Sequence, residues 1–178
     1  MNIRTKIWML TATFVACAGL VAAPVASAGE KVITGRYAGV GYDTSVDTNG
    51  DGFFVGLTMA DLQGTFGQSK LGVTSEWYVY PRECRDGYDV PFALVKSASV
   101  FTVPDQSQLF GFSTDGWLCL STATGAYYGE VYGAYIGGTG RFEEASGTFI
   151  TKFEGQNLDP TVGFRSIRAT LDGRLAKP

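Results

Sequence analysis

The residues with the most evident capacity for chemistry are carboxylates set among tyrosines. Glu76, Tyr78 and Tyr80 alternate in one stretch, and Tyr128, Glu130 and Tyr132 alternate in another. In extended chain, such spacing puts each trio on one face of a strand. Facing an enclosed apolar space, Glu76 or Glu130 would be desolvated and its pKa raised toward that of a general acid or base. Tyr78, Tyr80, Tyr128 and Tyr132 would then orient a bound molecule. Facing water, the same residues are cross-strand pairs on a solvated surface. For the two carboxylates the outward placement is favoured, because a charged side chain is seldom buried without a partner.

A second constellation is the loop Asp47-Thr48-Asn49-Gly50-Asp51-Gly52. Asp47, Asn49 and Asp51 occupy positions 1, 3 and 5 of a Ca2+ loop, and Gly52 stands at position 6, where the chain turns sharply. The twelfth position is Thr58 rather than a bidentate Glu. Two readings stand side by side: a structural Ca2+ loop, or a hairpin connection made of turn-forming residues. The sequence calls for no other cofactor. It contains no histidine, which excludes Ser-His-Asp hydrolases, Cys-His proteases, HExxH zinc enzymes and imidazole pH switches.

The first 28 residues stand apart from the elements that would position these groups. Arg4 and Lys6 precede an uncharged, mostly apolar run from Ile7 to Ala23, and Ala26-Ser27-Ala28 follows Pro24. This is the pattern of a secretory signal peptide cleaved after Ala28. The alternatives are an uncleaved anchor and a lipoprotein at Cys17. The small residues before Gly29 argue against the first, and the apolar sequence continuing past the cysteine argues against the second. Residues 29–178 then form one domain, secreted or periplasmic, without membrane attachment. Loss of Arg4 and Lys6 leaves 12 basic against 17 acidic residues, a formal charge of −5. With no basic cluster, such a chain repels phosphate backbones, so nucleic acid is not an expected partner. The oligomeric state is not legible. Cys84 and Cys119 are the cysteines beyond the leader, and in an oxidising compartment an even pair predicts a disulfide.

Beyond residue 28, helical periodicity is scarce and short β-rich runs recur between turn signals. The expected strands are Val32 to Tyr42, Phe53 to Met59, Lys70 to Tyr80, Pro91 to Val103, Gln108 to Ser113, Trp117 to Thr122, Ala126 to Ile136, Ser146 to Phe153 and Gly163 to Leu171. Leu71, Val73, Ser75, Trp77 and Val79 share one face, on which Trp77 reads as packing, as does Trp117 beside Leu118 and Leu120. Tyr127, Gly129, Val131, Gly133 and Tyr135 alternate large with small, which suits a curved sheet or a tapering interior. All but Gly19 of the 24 glycines lie beyond the leader, many of them inside these runs, where strong curvature explains them. Arg82, Glu83, Arg85 and Asp86 form a mixed-charge loop around Cys84. Arg165 and Arg168 fall on opposite faces of the last strand, so at most one of them can face a cavity.

From Ile136 to Phe149 the chain reads I-G-G-T-G-R-F-E-E-A-S-G-T-F. This segment resembles the G-G-T-G-[RK]-F-x-x-A-x-G turn of dirigent proteins and the related allene oxide cyclase-like barrels. The resemblance implies an all-β, eight-stranded antiparallel up-and-down barrel with an apolar central cavity. Gly137, Gly138, Gly140 and Arg141 would form the reversal, Phe142 would return to the core, and Gly147 would bend the following strand. No catalytic residue carries over, because nothing in the turn is itself chemical. The function expected is the binding of a small hydrophobic molecule in the lumen. The rival is a cofactor-free cyclase or isomerase of the same barrel type, and a third reading is a secreted structural or interaction module with a filled barrel.

Overall fold

The computed structural model describes residues 29–43 and 53–176. The leader and the Asp47, Asn49 and Asp51 loop lie outside the described residues. The described chain is all β apart from one short turn of 3-10 helix. Its strands are β1 (Lys31–Asp43), β2 (Phe53–Gly64), β3 (Gly67–Val79), β4 (Val90–Thr102), β5 (Gln108–Leu120), β6 (Ala126–Gly138), β7 (Ser146–Asp159) and β8 (Phe164–Ala176). Each strand pairs antiparallel with its neighbours in sequence, and β8 returns to β1, closing an eight-stranded up-and-down barrel. Closure leaves no sheet edge exposed to other chains.

The sequence pattern predicts nine strands and the barrel has eight. Gln108 to Ser113 and Trp117 to Thr122 belong to the single strand β5. The Thr114-Asp115-Gly116 sequence between them has turn chemistry, but the chain runs straight through it as an irregularity. Pairing to β6 slips between Phe112 and Asp115, and β4 resumes pairing at Ala93 with Trp117. Such a bulge bends a strand without reversing it. The Phe53 run is a full strand that extends to Gly64.

Strand alternation produces two unlike faces, and the lumen takes the one bearing Ile33, Tyr37, Leu62, Leu71, Phe101, Leu109, Tyr135, Phe149 and Leu171. These residues come from the beginnings of odd-numbered strands and the ends of even-numbered ones, so they gather at one end of the barrel and fill it. The β6–β7 turn closes that end. Gly140 there adopts φ 57°, a left-handed conformation that costs glycine little, and the turn delivers Phe142 at 1% exposure onto the core, edge-on to Phe66. The glycine turn thus lies between β6 and β7, with Phe142 in the core.

On the outer wall, the connection between β3 and β4 lies back against β5 and β6. Cys84 and Cys119 form a disulfide with a Cα separation of 5.9 Å. Arg82 stacks 4.1 Å above the Trp117 ring, and Arg85 lies 3.9 Å over Tyr128 and 4.6 Å over Tyr88. The Arg85 backbone N–H donates to the Tyr128 hydroxyl at 3.0 Å. The mixed-charge loop is thus a strap held to the wall by one covalent bond, two cation–π contacts and the Arg85–Tyr128 hydrogen bond.

Candidate functional site

Toward the other end the lumen opens. A cavity of about 490 Å3 runs inward from the mouth, within the range of ordinary small-molecule sites. Its walls are mainly aromatic and aliphatic, including Phe54, Trp77, Phe92, Leu118, Phe153 and Ile167. Trp77 and Phe153 meet edge-on at 6.3 Å, and Tyr127 lies tilted 6.3 Å from the same Phe153 ring. Among the described residues no helix is long and apolar enough to cross a membrane.

One ion pair interrupts this apolar lining. Arg165, at the start of β8, is 9% exposed and reaches along the wall to Asp43 at the end of β1, where Nη1 binds Oδ1. Nη2 lies 3.5 Å from Thr58 Oγ1. The pairing register explains the meeting: Arg165 sits opposite Gly41, and Asp43, two residues further on, shares the inward face. Two glycines make room for the guanidinium. A Cβ on Gly41 would fall 2.8 Å from Nε, and one on Gly56 would fall 2.6 Å from Nη2. The same Gly56 position lies 3.1 Å from Asp43 Oδ1 and 3.3 Å from Ser75 Oγ, so guanidinium, carboxylate and hydroxyl crowd around a bare patch of β2. Burial pulls the Arg165 pKa down to about 10, which leaves it protonated at neutral pH. A paired cation and anion in an apolar cavity can donate to and accept from one ligand oxygen at once.

Hydroxyls complete the polar lining. Trp77 Nε1 donates to Ser75 Oγ at 2.8 Å. Tyr37 shares a hydrogen bond with Thr151, and burial pushes its phenol well above the usual tyrosine range. Tyr127 donates to the Ser166 carbonyl at 2.7 Å, and its phenol is raised for the same reason.

The structure places Glu76, Glu130 and the four candidate tyrosines on the outside of the barrel. Glu76 pairs with Lys96 at 2.9 Å and Glu130 with Lys152 at 3.5 Å, both across strands on the outer face. That is the favoured outward placement of the carboxylates. The candidate tyrosines follow the same parity and do not line the cavity. Tyr78 packs on Phe53 and Tyr80, Tyr80 is half exposed, and Tyr128 lies beneath the strap. The Tyr132 hydroxyl donates to Glu130 Oε2, which raises the phenol's pKa. The physical reason is parity. Leu71, Val73, Ser75, Trp77 and Val79 face inward on β3, as do Tyr127 and Val131 on β6, so their neighbours face water. Among the described residues the lumen carboxylate is Asp43 instead, a residue that sequence reasoning did not single out.

No protein-family model matches the chain, and no curated protein matches it. Among solved structures, the chain is similar to a pterocarpan synthase dirigent protein at 15% identity, with a TM-score of 0.45, over 84% of this chain and 93% of that one.

Proposed function

We propose that this protein binds a small hydrophobic molecule inside its barrel, with the apolar body against the aromatic walls and one oxygen at the Arg165–Asp43 pair. The observation that carries the reading is the cavity of about 490 Å3, which among the described residues is open at one end of a barrel whose other end is packed by buried apolar side chains. A module with a wholly filled interior would have no such space. Burial of an apolar ligand there contributes roughly 25 cal/mol per Å2 removed from water. The ion pair, already desolvated, adds orientation at little further cost. The test is native mass spectrometry of the protein purified from its own host. A co-purified apolar molecule of fixed mass supports the reading, and reproducibly empty protein that takes up no apolar probe refutes it.

The enzymatic alternative, a cofactor-free cyclase or isomerase, rests on the same pair. Asp43 is the carboxylate positioned to exchange a proton with a molecule in the lumen, so acid–base chemistry falls to it rather than to Glu76 or Glu130. Replacing Asp43 by Asn would then abolish turnover of a bound substrate while leaving its binding within a few-fold.

Export through the leader fits a disulfide that joins the strap to β5. A structural Ca2+ would be held by the side-chain oxygens of Asp47, Asn49 and Asp51. Titrating Ca2+ into chelator-treated protein tests it: a rise in melting temperature supports the site, and no change removes it.

A further inference from the structure

The lumen holds a second polar surface, and the fold leaves one of its hydroxyls, that of Ser99, without a partner among the described residues. Ser75, Ser97 and Ser99 line the cavity from β3 and β4. The register sets Ser75 opposite Ser97, and Val73 opposite Ser99. Ser75 already accepts a hydrogen bond from Trp77. Ser99 is only 7% exposed, and its Oγ, itself shielded, has no hydrogen-bond partner among the described residues. Buried hydroxyls are normally satisfied, and one that is not calls for a reason. Gly111 faces Ser99 across β4 and β5, and a Cβ there would come within 2.4 Å of Ser99 Oγ. The hydroxyl has its place only because that position of β5 is bare.

Ser75 borders the ion pair, but Ser99 is well separated from it. The guanidinium lies over Gly41 and Gly56 on β1 and β2, whereas Ser99 stands on β4. Two to three strand spacings separate them, on the order of 10–14 Å around the wall. Apolar groups, including Val73, Phe101 and Phe149, share the lining with them. Asp43 and Arg165 are the charged residues among the described lining, and they neutralise each other. An anionic ligand would therefore bring an uncompensated charge beside Asp43 in a poorly solvated space.

Resting on the reading of the lumen as a ligand site, we propose that the ligand is a neutral apolar molecule with oxygen functions on two opposite edges. One oxygen meets Arg165 and Asp43, and the second is hydrogen-bonded by Ser99, whose hydroxyl turns about χ1 from the bare Gly111 position toward the lumen, with Ser97 beside it. The serine pair is then a specificity determinant that selects doubly oxygenated molecules over singly oxygenated ones of the same shape.

The test compares naphthalene, 2-naphthol, 2,6-dihydroxynaphthalene and 2-naphthoate by fluorescence or calorimetric titration against wild type, Ser99→Ala and the Ser97→Ala/Ser99→Ala double variant. The dihydroxy probe is expected to bind about 5–10-fold tighter than 2-naphthol, as one additional neutral hydrogen bond allows. That exceeds the twofold statistical advantage of its symmetry. 2-Naphthoate is expected to bind more weakly than 2-naphthol. In Ser99→Ala the dihydroxy advantage should shrink to about twofold, with 2-naphthol affinity unchanged and melting temperature not lowered, since an unpaired hydroxyl has been removed. The proposal is overturned if wild type shows no preference for the dihydroxy probe, or if the preference survives in the double variant. Tighter binding of 2-naphthoate than of 2-naphthol removes the neutral part of it. Failure of naphthalene itself to bind would instead overturn the lumen reading, and this proposal with it.

Discussion

The two ends of this barrel are built from the same strands and the same alternation, yet one is solid and the other hollow. At the closed end Ile33, Val103, Leu109, Phe142 and Leu171 are at most 1% exposed. At the open end Phe53, Phe54, Phe92, Leu118 and Leu120 are each only partly buried and border the cavity. The difference lies in what covers the strand ends. The β6–β7 turn folds Phe142 inward as a stopper, whereas the strap between β3 and β4 lies back on the outer wall and, among the described residues, leaves the mouth uncovered. Packing of the closed end supplies stability, and that allows the open end to retain apolar surface that a fully packed core would have consumed.

This division predicts which substitutions harm the fold and which harm the site. Phe142→Ala removes the stopper and should destabilise by about 3–5 kcal/mol, the usual cost of deleting a fully buried aromatic side chain, measured by denaturant unfolding. A comparable loss from Leu118→Ala at the mouth would erase the contrast between the ends. Replacing both Cys84 and Cys119 by Ser should cost about 3–4 kcal/mol through loss of the cross-link, again by denaturant unfolding, with probe binding at neutral pH retained. Leu118→Ala should cost about 1 kcal/mol or less, because the residue is only half buried. It should nonetheless weaken binding of an apolar probe several-fold in a fluorescence titration.

The buried tyrosines sharpen the comparison in alkali. Desolvation raises the phenols of Tyr37, Tyr127 and Tyr135 well above the usual tyrosine range. Above pH about 10 the unfolded chain loses these protons and the folded chain keeps them, so these groups make stability fall as pH rises. Absorbance near 295 nm should show exposed tyrosines titrating first, then a steeper step that coincides with loss of structure. A gradual titration of every tyrosine in folded protein would contradict their burial. The smallest effect belongs to the outer face: Tyr78→Phe and Tyr132→Phe should alter stability by about 0.5 kcal/mol or less and leave probe affinity unchanged.

Much of the fold was legible because alternation and turn chemistry are local. Leu71, Val73, Ser75, Trp77 and Val79 declare one face of β3 in the sequence, and the glycine turn ahead of Phe142 declares the reversal between β6 and β7. The Asp115-Gly116 signal misled because a bulge and a turn use the same residues, and only the partner strand distinguishes them. The site was less legible for two reasons. Both faces of β3 and of β6 carry aromatic rings, so composition did not reveal which one points inward. Asp43 and Arg165 stand at opposite ends of the chain and meet only because β8 closes on β1. The signals available were Gly41 and Gly56, bare positions that admit a long side chain, together with the rule that only one of Arg165 and Arg168 could face a cavity.

The mouth half of the barrel encloses ligand-sized apolar space, and equilibrium titration with 1-aminoanthracene, a neutral fluorescent probe, reads out whether a molecule enters it. Saturable binding at one site per chain is expected, with a blue-shifted emission that Leu118→Ala weakens and Tyr132→Phe leaves unchanged. A signal that never saturates, or one that Leu118→Ala and Tyr132→Phe affect alike, would contradict it.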